Sequence, residues 1–229
     1  MKLIKKLFLL IILIIVVVGV VFYINGNKLY KESIAKTSLS DKVSQIRQAE
    51  NFTSINDVPA CYKDAIVAVE DHRFYIHGTI DPIALARATV SNIKQKNFKE
   101  GGSTLTQQTA KNLYFISEDE VINRKIAEVL VGIDLEKNYS KDEILELYFN
   151  TIYFGDGYYG IKEACNGYLN KEPKDMTLSD ATLLAGIPNA PSVYAPTKNP
   201  DLAIKRQKKV ISSMVEYGYL SQEEADTIK

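Results

Sequence analysis

Only two cysteines, Cys61 and Cys165, occur in the 229 residues. They are too few for a disulfide framework and lack the paired spacing of a metal site, so each reads as a small buried apolar residue. An excess of either charge is also missing, because 28 basic side chains face 28 acidic ones. Without Lys2, Lys5 and Lys6 the remainder is slightly acidic, and no polybasic stripe marks a nucleic-acid binder. No segment sustains the period-two alternation of a half-buried strand, and no internal repeat is visible. What remains is a mainly α-helical chain with one core, short strands being allowed only around Phe52 or Tyr153.

The first positive feature is the run LFLLIILIIVVVGVVFYI, Leu7 to Ile24, which carries no charge. As a helix it spans ~27 Å at 1.5 Å per residue, enough to cross a bilayer core. It is longer than the apolar core of a cleaved leader and no small-x-small site follows it, so it reads as a transmembrane anchor. The lysines before it favour an inside amino end, with the rest of the chain on the extracytoplasmic face. Residues 1–24 are then the cytoplasmic start and anchor, 25–51 a polar juxtamembrane stalk, and 52–229 the folded domain.

Within that domain, Tyr62, Ala65, Ile66 and Val69 repeat at helical spacing, and the helix should end near Glu70. Asp81-Pro82 caps a second helix with Ile83, Ala86, Val90 and Ile93 as its apolar face. The charged stretch KQKNFKEGG reads as a loop, and Thr104-x-x-Gln107 forms a capping box directly after two glycines. Ile122, Ile126, Val129, Leu130 and Ile133 predict another amphipathic helix. Ser140-x-x-Glu143 and Ser221-x-x-Glu224 cap two more.

Three groups of residues could carry chemistry. In AIVAVEDHRFYIHG, Glu70 stands at the margin of an apolar helix face, where partial desolvation favours a protonated carboxyl and makes a general base of glutamate. The structural alternative is that Glu70 and Asp71 pair with Arg73 or with a neighbouring helix. In GGSTLTQQ, the glycines let backbone amides approach an anion at a helix start, and Thr104, Gln107, Gln108 and Lys111 share one polar stripe suited to a sugar diphosphate. The alternative there is a solvated face. Arg124, Lys125 and Glu128 lie at salt-bridge spacing on one helix and by themselves indicate no function.

Taken in order, EDHRFYIHG, GGSTLTQQTAKNLY, RKIAEVLVGIDLEKNYSKDEILELYFNTIYFG and LLAGIPNAPSVYAP resemble the peptidoglycan glycosyltransferases, glycosyltransferase family 51, over roughly residues 52 to 220. The resemblance implies a lysozyme-like, mainly helical fold and inverting polymerisation of lipid II into glycan strands with release of undecaprenyl diphosphate. Because no transpeptidase follows before Lys229, it also implies a monofunctional transglycosylase.

By position in the motifs, the resemblance makes Glu70 the base and Glu128 the second essential carboxylate. Asp71, Phe74, His77, Gly102, Ser103, Thr104, Gln107, Gln108, Lys111, Arg124 and Lys125 become substrate-binding residues. It implies no organic cofactor, but a divalent cation, Mg or Mn, beside the leaving diphosphate, with its ligands unassigned. The partners implied are lipid II, the lipid-linked growing chain, the membrane and other cell-wall synthesis proteins. Two departures stand out: Thr79 occupies a glycine position of the first motif, which predicts a different turn after His77, and an acidic ISEDEVIN segment stands where relatives carry a basic residue. A lysozyme-like glycan-cleaving enzyme and an inactive membrane-anchored scaffold are the competing readings.

Overall fold

The computed structural model describes residues 2–95 and 101–228, with the side chains of Lys2, Leu3, Asn92, Ile93 and Gln95 excepted. The KQKNFKEGG stretch falls mostly outside that range. Twelve α-helices follow one another among the described residues, and the only β-pairing there is an isolated antiparallel bridge between Tyr153 and Tyr159. The mainly helical fold expected from the sequence is the one observed.

Helix α1 (Lys2–Lys36) runs without a break through the apolar stretch and beyond it. Residues 4 to 36 qualify by length and hydropathy as a membrane span, and none of its apolar window is buried. The segment after Ile24 lies against the folded body: Leu29, Tyr30 and Ile34 pack on the core, and the Tyr30 hydroxyl donates to Asp134 Oδ2 at 2.6 Å. Helix α2 (Leu39–Arg47) adds Leu39 and Val43 to the core, and Arg47 holds it to Glu143 and Glu146.

The centre of the body is built from α3 (Ala60–Glu70), α5 (Leu105–Tyr114), α6 (Val121–Asn138) and α7 (Lys141–Thr151). Tyr62, Ile66, Leu105, Val131, Leu135, Leu145, Tyr148 and Phe149 meet there fully buried. Helix α7 is deeply enclosed, with six consecutive buried residues from Ile144 to Phe149. One of them is Glu146, which accepts from the Ile55 backbone N–H and pairs with Arg47. Capping boxes start α5 and α7 where the sequence places them.

The C-terminal part wraps round this centre. Helix α8 (Ile161–Ala164) runs into a π turn over Cys165–Leu169, and α9 (Leu178–Gly186) packs on α3. The short α10 (Pro191–Tyr194), α11 (Pro200–Glu216) and α12 (Gln222–Asp226) follow, with α11 lying across both α3 and α9. Gly186 makes that crossing possible, since a Cβ there would stand 2.9 Å from the Arg206 side chain.

Two helical faces differ from expectation. On α4 (Pro82–Gln95), Ile83, Leu85, Ala86 and Val90 face outward, and Ala88 is the buried contact. Ile93's side chain lies outside the described residues. Periodicity reports that a helix face needs an apolar environment; it does not say that the protein core supplies it. On α6 the core face is Ala127, Val131 and Leu135 together with Glu128 and Gly132, whereas Ile122 and Ile133 are exposed. Helix α6 is sandwiched between the core and α1, so it has two apolar faces, and counting residues finds a stripe averaged between them.

Candidate active site

Helix α3 ends at Glu70, and the chain turns at Asp71 through a backbone with φ −159° and ψ 72°. That turn places two adjacent carboxylates in different surroundings. Asp71 points inward: Oδ1 lies 2.7 Å from His77 Nε2, and Oδ2 accepts the Leu105 N–H at 3.0 Å. Arg73 pairs with the buried Asp81, which also caps α4 through the Ile83 and Ala84 amides. The charges after Glu70 therefore brace the turn against α5 and α4, with Arg73 on Asp81 rather than on Glu70 or Asp71.

Glu70 has a different environment. Its Oε2 accepts from Gln108 Nε2 at 3.0 Å, and Oε1 lies 3.5 Å from Arg206 Nη2, with a tenth of the side chain exposed. Burial pushes the carboxyl up, opposed by the Gln108 hydrogen bond and the Arg206 charge. Arg206 is held in turn by the Gly186 carbonyl and lies over the Tyr194 ring at 5.8 Å.

A cleft of about 690 Å³ opens over Glu70. Ser103, Gln107, Gln108 and Lys111 form one wall; Arg124, Lys125 and Glu128 form another; Arg206, Lys209 and Tyr217 of the α11 side close it. Glu128 is 2% exposed, with Arg124 Nε 3.2 Å from Oε1 and Lys125 Nζ 2.8 Å from Oε2. Lys125 also donates to Ser103 Oγ, joining the second and third motifs, and Arg124 donates to the Glu118 carbonyl. The acidic segment thus orients Arg124 with its backbone.

Of the residues selected from sequence, Glu70, Asp71, Ser103, Gln107, Gln108, Lys111, Arg124, Lys125 and Glu128 line this cleft. Phe74 is fully buried with Lys141 over its ring at 4.4 Å, and His77's side chain is 4% exposed, so both support the turn from behind. Thr104 is buried, its hydroxyl donating to the Thr79 carbonyl. Gly102 packs close to Leu85 and Ala88 of α4.

Three of the backbone amides at the expected cradle are engaged within the protein. At the start of α5 the Leu105 N–H goes to Asp71, the Gln107 N–H to Thr104 Oγ1, and the Thr104 N–H to Gln107 Oε1. A capping box satisfies its own helix end, and those donors are no longer available to an anion. Six basic residues, Arg87, Lys111, Arg124, Lys125, Arg206 and Lys209, line the cleft against four acidic ones.

Arg206 and Lys209 were missed by the sequence reading, although Arg206, Lys209, Ser213 and Glu216 recur along α11 as one polar stripe. His72 and Tyr217 were missed too. Their rings stack at 4.0 Å and 10° across the end of the cleft, and burial, followed by the Arg87 charge, lowers the His72 pKa.

The residues present do not fit a protein-held metal. Among the described residues, the one group of ligand atoms close enough to share an ion is Asp71, His77 and Asp81. Their oxygens already serve His77, the Leu105 N–H, two α4 amides and Arg73. Both Glu128 oxygens face cations.

The cleft thus gathers one carboxyl raised by burial and a bank of cations. The transglycosylase family profile matches residues 37–215, and the chain belongs to that family. Penicillin-binding protein 1F of Bacillus subtilis (strain 168) is 47% identical over 174 residues, covering 76% of this chain and 24% of that protein. Penicillin-binding protein 1A of Neisseria flavescens is 44% identical over 179 residues, covering 78% and 22%. The chain spans about a quarter of the length of these relatives.

Proposed function

We propose that the chain is a membrane-anchored peptidoglycan glycosyltransferase that extends glycan strands from lipid II. The observation that carries this reading is the placement of Glu70, buried and raised, in the same cleft as Lys111, Arg124, Lys125 and Glu128. Glu70 takes the proton of the acceptor sugar's 4-hydroxyl as that oxygen attacks the donor's anomeric carbon. The bond from that carbon to the lipid diphosphate breaks with inversion, and the diphosphate leaves carrying the electron pair. Lys111, Arg124 and Lys125 stabilise its charge in a site of reduced dielectric, where fixed cations act most strongly. Glu128 holds Arg124 and Lys125 in place, and no step passes through a metal.

Glycan cleavage fits less well. A hydrolase needs a second carboxyl free to act as acid or nucleophile, and Glu128 is closed in by two cations. Glu70→Gln removes the base at nearly constant volume. In a polymerisation assay on purified lipid II it is expected to lose all measurable product, and turnover above about a tenth of wild type would refute the assignment.

The catalytic domain belongs, in this reading, on the extracytoplasmic face, as Lys2, Lys5 and Lys6 before the apolar run indicate. Protease added to cells stripped of wall should digest the domain and spare α1. Full protection would reverse the orientation.

A further inference from the structure

Helix α1 does more than tether. Gly26 is the first buried residue of α1 among the described side chains, two positions past the end of the uncharged run at Ile24. A Cβ at Gly26 would lie 2.5 Å from Ile126 Cβ and 3.0 Å from the Asn123 carbonyl, so the two helices touch backbone to side chain there. One turn further along α1, Tyr30 reaches Asp134, and the two helices therefore run side by side in the same direction.

This geometry fixes a height. Gly26 lies about 3 Å beyond Ile24 along the helix axis, which is the edge of the hydrocarbon core if Leu7–Ile24 spans it. The α6 residues level with it are Asn123 and Ile126, flanking Arg124 and Lys125. Below them α6 begins with Val121 and Ile122, which with Ile116 just before it are exposed apolar side chains, as an element entering the interface requires.

We propose that the Gly26–Ile126 contact sets the depth of Arg124 and Lys125 at the bilayer surface, where the diphosphate of a lipid-linked substrate lies. Gly26 is in this sense a positioning residue for the membrane-bound reaction. The catalytic half of the proposal rests on the function proposed above; the depth half does not.

Depth is measured in the 229-residue chain carrying Cys61→Ala and Asp119→Cys, labelled with a fluorophore in phosphatidylglycerol–phosphatidylethanolamine vesicles bearing headgroup nitroxides. The label is expected to be strongly quenched, and Gly26→Leu to lower quenching at least about twofold, because a bulky side chain forces α1 off α6. Gly26→Ala should lose part of the quenching, and Ile126→Ala in the same chain should restore it. Unchanged quenching in Gly26→Leu, or no restoration in the double variant, overturns the depth claim, and the double variant decides the matter if Gly26→Leu fails to fold.

Activity gives the second readout. Gly26→Leu should cost about tenfold on long-chain lipid II in vesicles, since small misplacements of reacting groups are that expensive, but less than about threefold on a short-chain analogue in detergent. Equal losses in both media would mean that α6 itself is distorted, which overturns the positioning role. If the unsubstituted chain polymerises neither substrate, the proposed function fails, and quenching alone decides the depth claim.

Discussion

Glu70 carries a carboxyl that burial raises against the pull of Gln108 and Arg206. A carboxyl raised on folding binds its proton more tightly in the native state. Its contribution therefore favours folding below the unfolded pKa, about 4.3, and is lost as pH rises through the folded value. At neutral pH the charged form is held in a place that disfavours it. Glu70→Gln is accordingly expected to melt higher than wild type near pH 7, with the two melting temperatures converging near about pH 4. Thermal unfolding of both proteins across that range checks this, and equal melting temperatures near neutrality would show that Arg206 and Gln108 fully offset the burial. Activity should fall on the acid side as Glu70 takes up its proton.

Between elements, the first-motif turn meets α6 where Thr79 faces Gly132. A Cβ on Gly132 would lie 2.4 Å from Thr79 Cγ2. Thr79 and Gly78 are absent from the positive-φ residues, so the turn needs no glycine at Thr79, and the side chain added there is accommodated by the one missing at Gly132. Gly132→Ala should destabilise by about 1–3 kcal/mol through overpacking, and Thr79→Gly in the same chain should recover most of it. Denaturant titration of the three variants reads the coupling, and additive losses would sink the pairing. The same contrast explains what the sequence could reveal. The capping boxes at Thr104, Ser140 and Ser221 were legible because a cap is closed by residues three apart. Glu70 was legible as the end of an apolar stripe. The core face of α6, the inward role of Phe74 and His77, and the arrival of Arg206 at Glu70 depend on partners from distant helices, and periodicity within one helix holds no record of them.

Across the whole molecule, the cleft collects its cations from four helices: α4, α5, α6 and α11. Fixed charges spread in this way can stabilise a leaving diphosphate without a resident metal. Chelating divalent metal is therefore expected to cost less than about threefold in polymerisation rate, whereas Lys111→Ala costs at least about tenfold. A chelated enzyme that falls silent would show that the side chains do not suffice.

The path of α11 across α3 and α9 also orders events during synthesis. Glu70 leaves the ribosome 136 residues before Arg206. Until α11 arrives, Glu70 lacks its arginine and the faces of α3 and α9 lack their cover. A nascent chain therefore passes through a stage in which the cleft is still open along one side. The cleft closes only when α11 has emerged and docked, so Glu70 cannot meet its arginine while the residues between them are still being made.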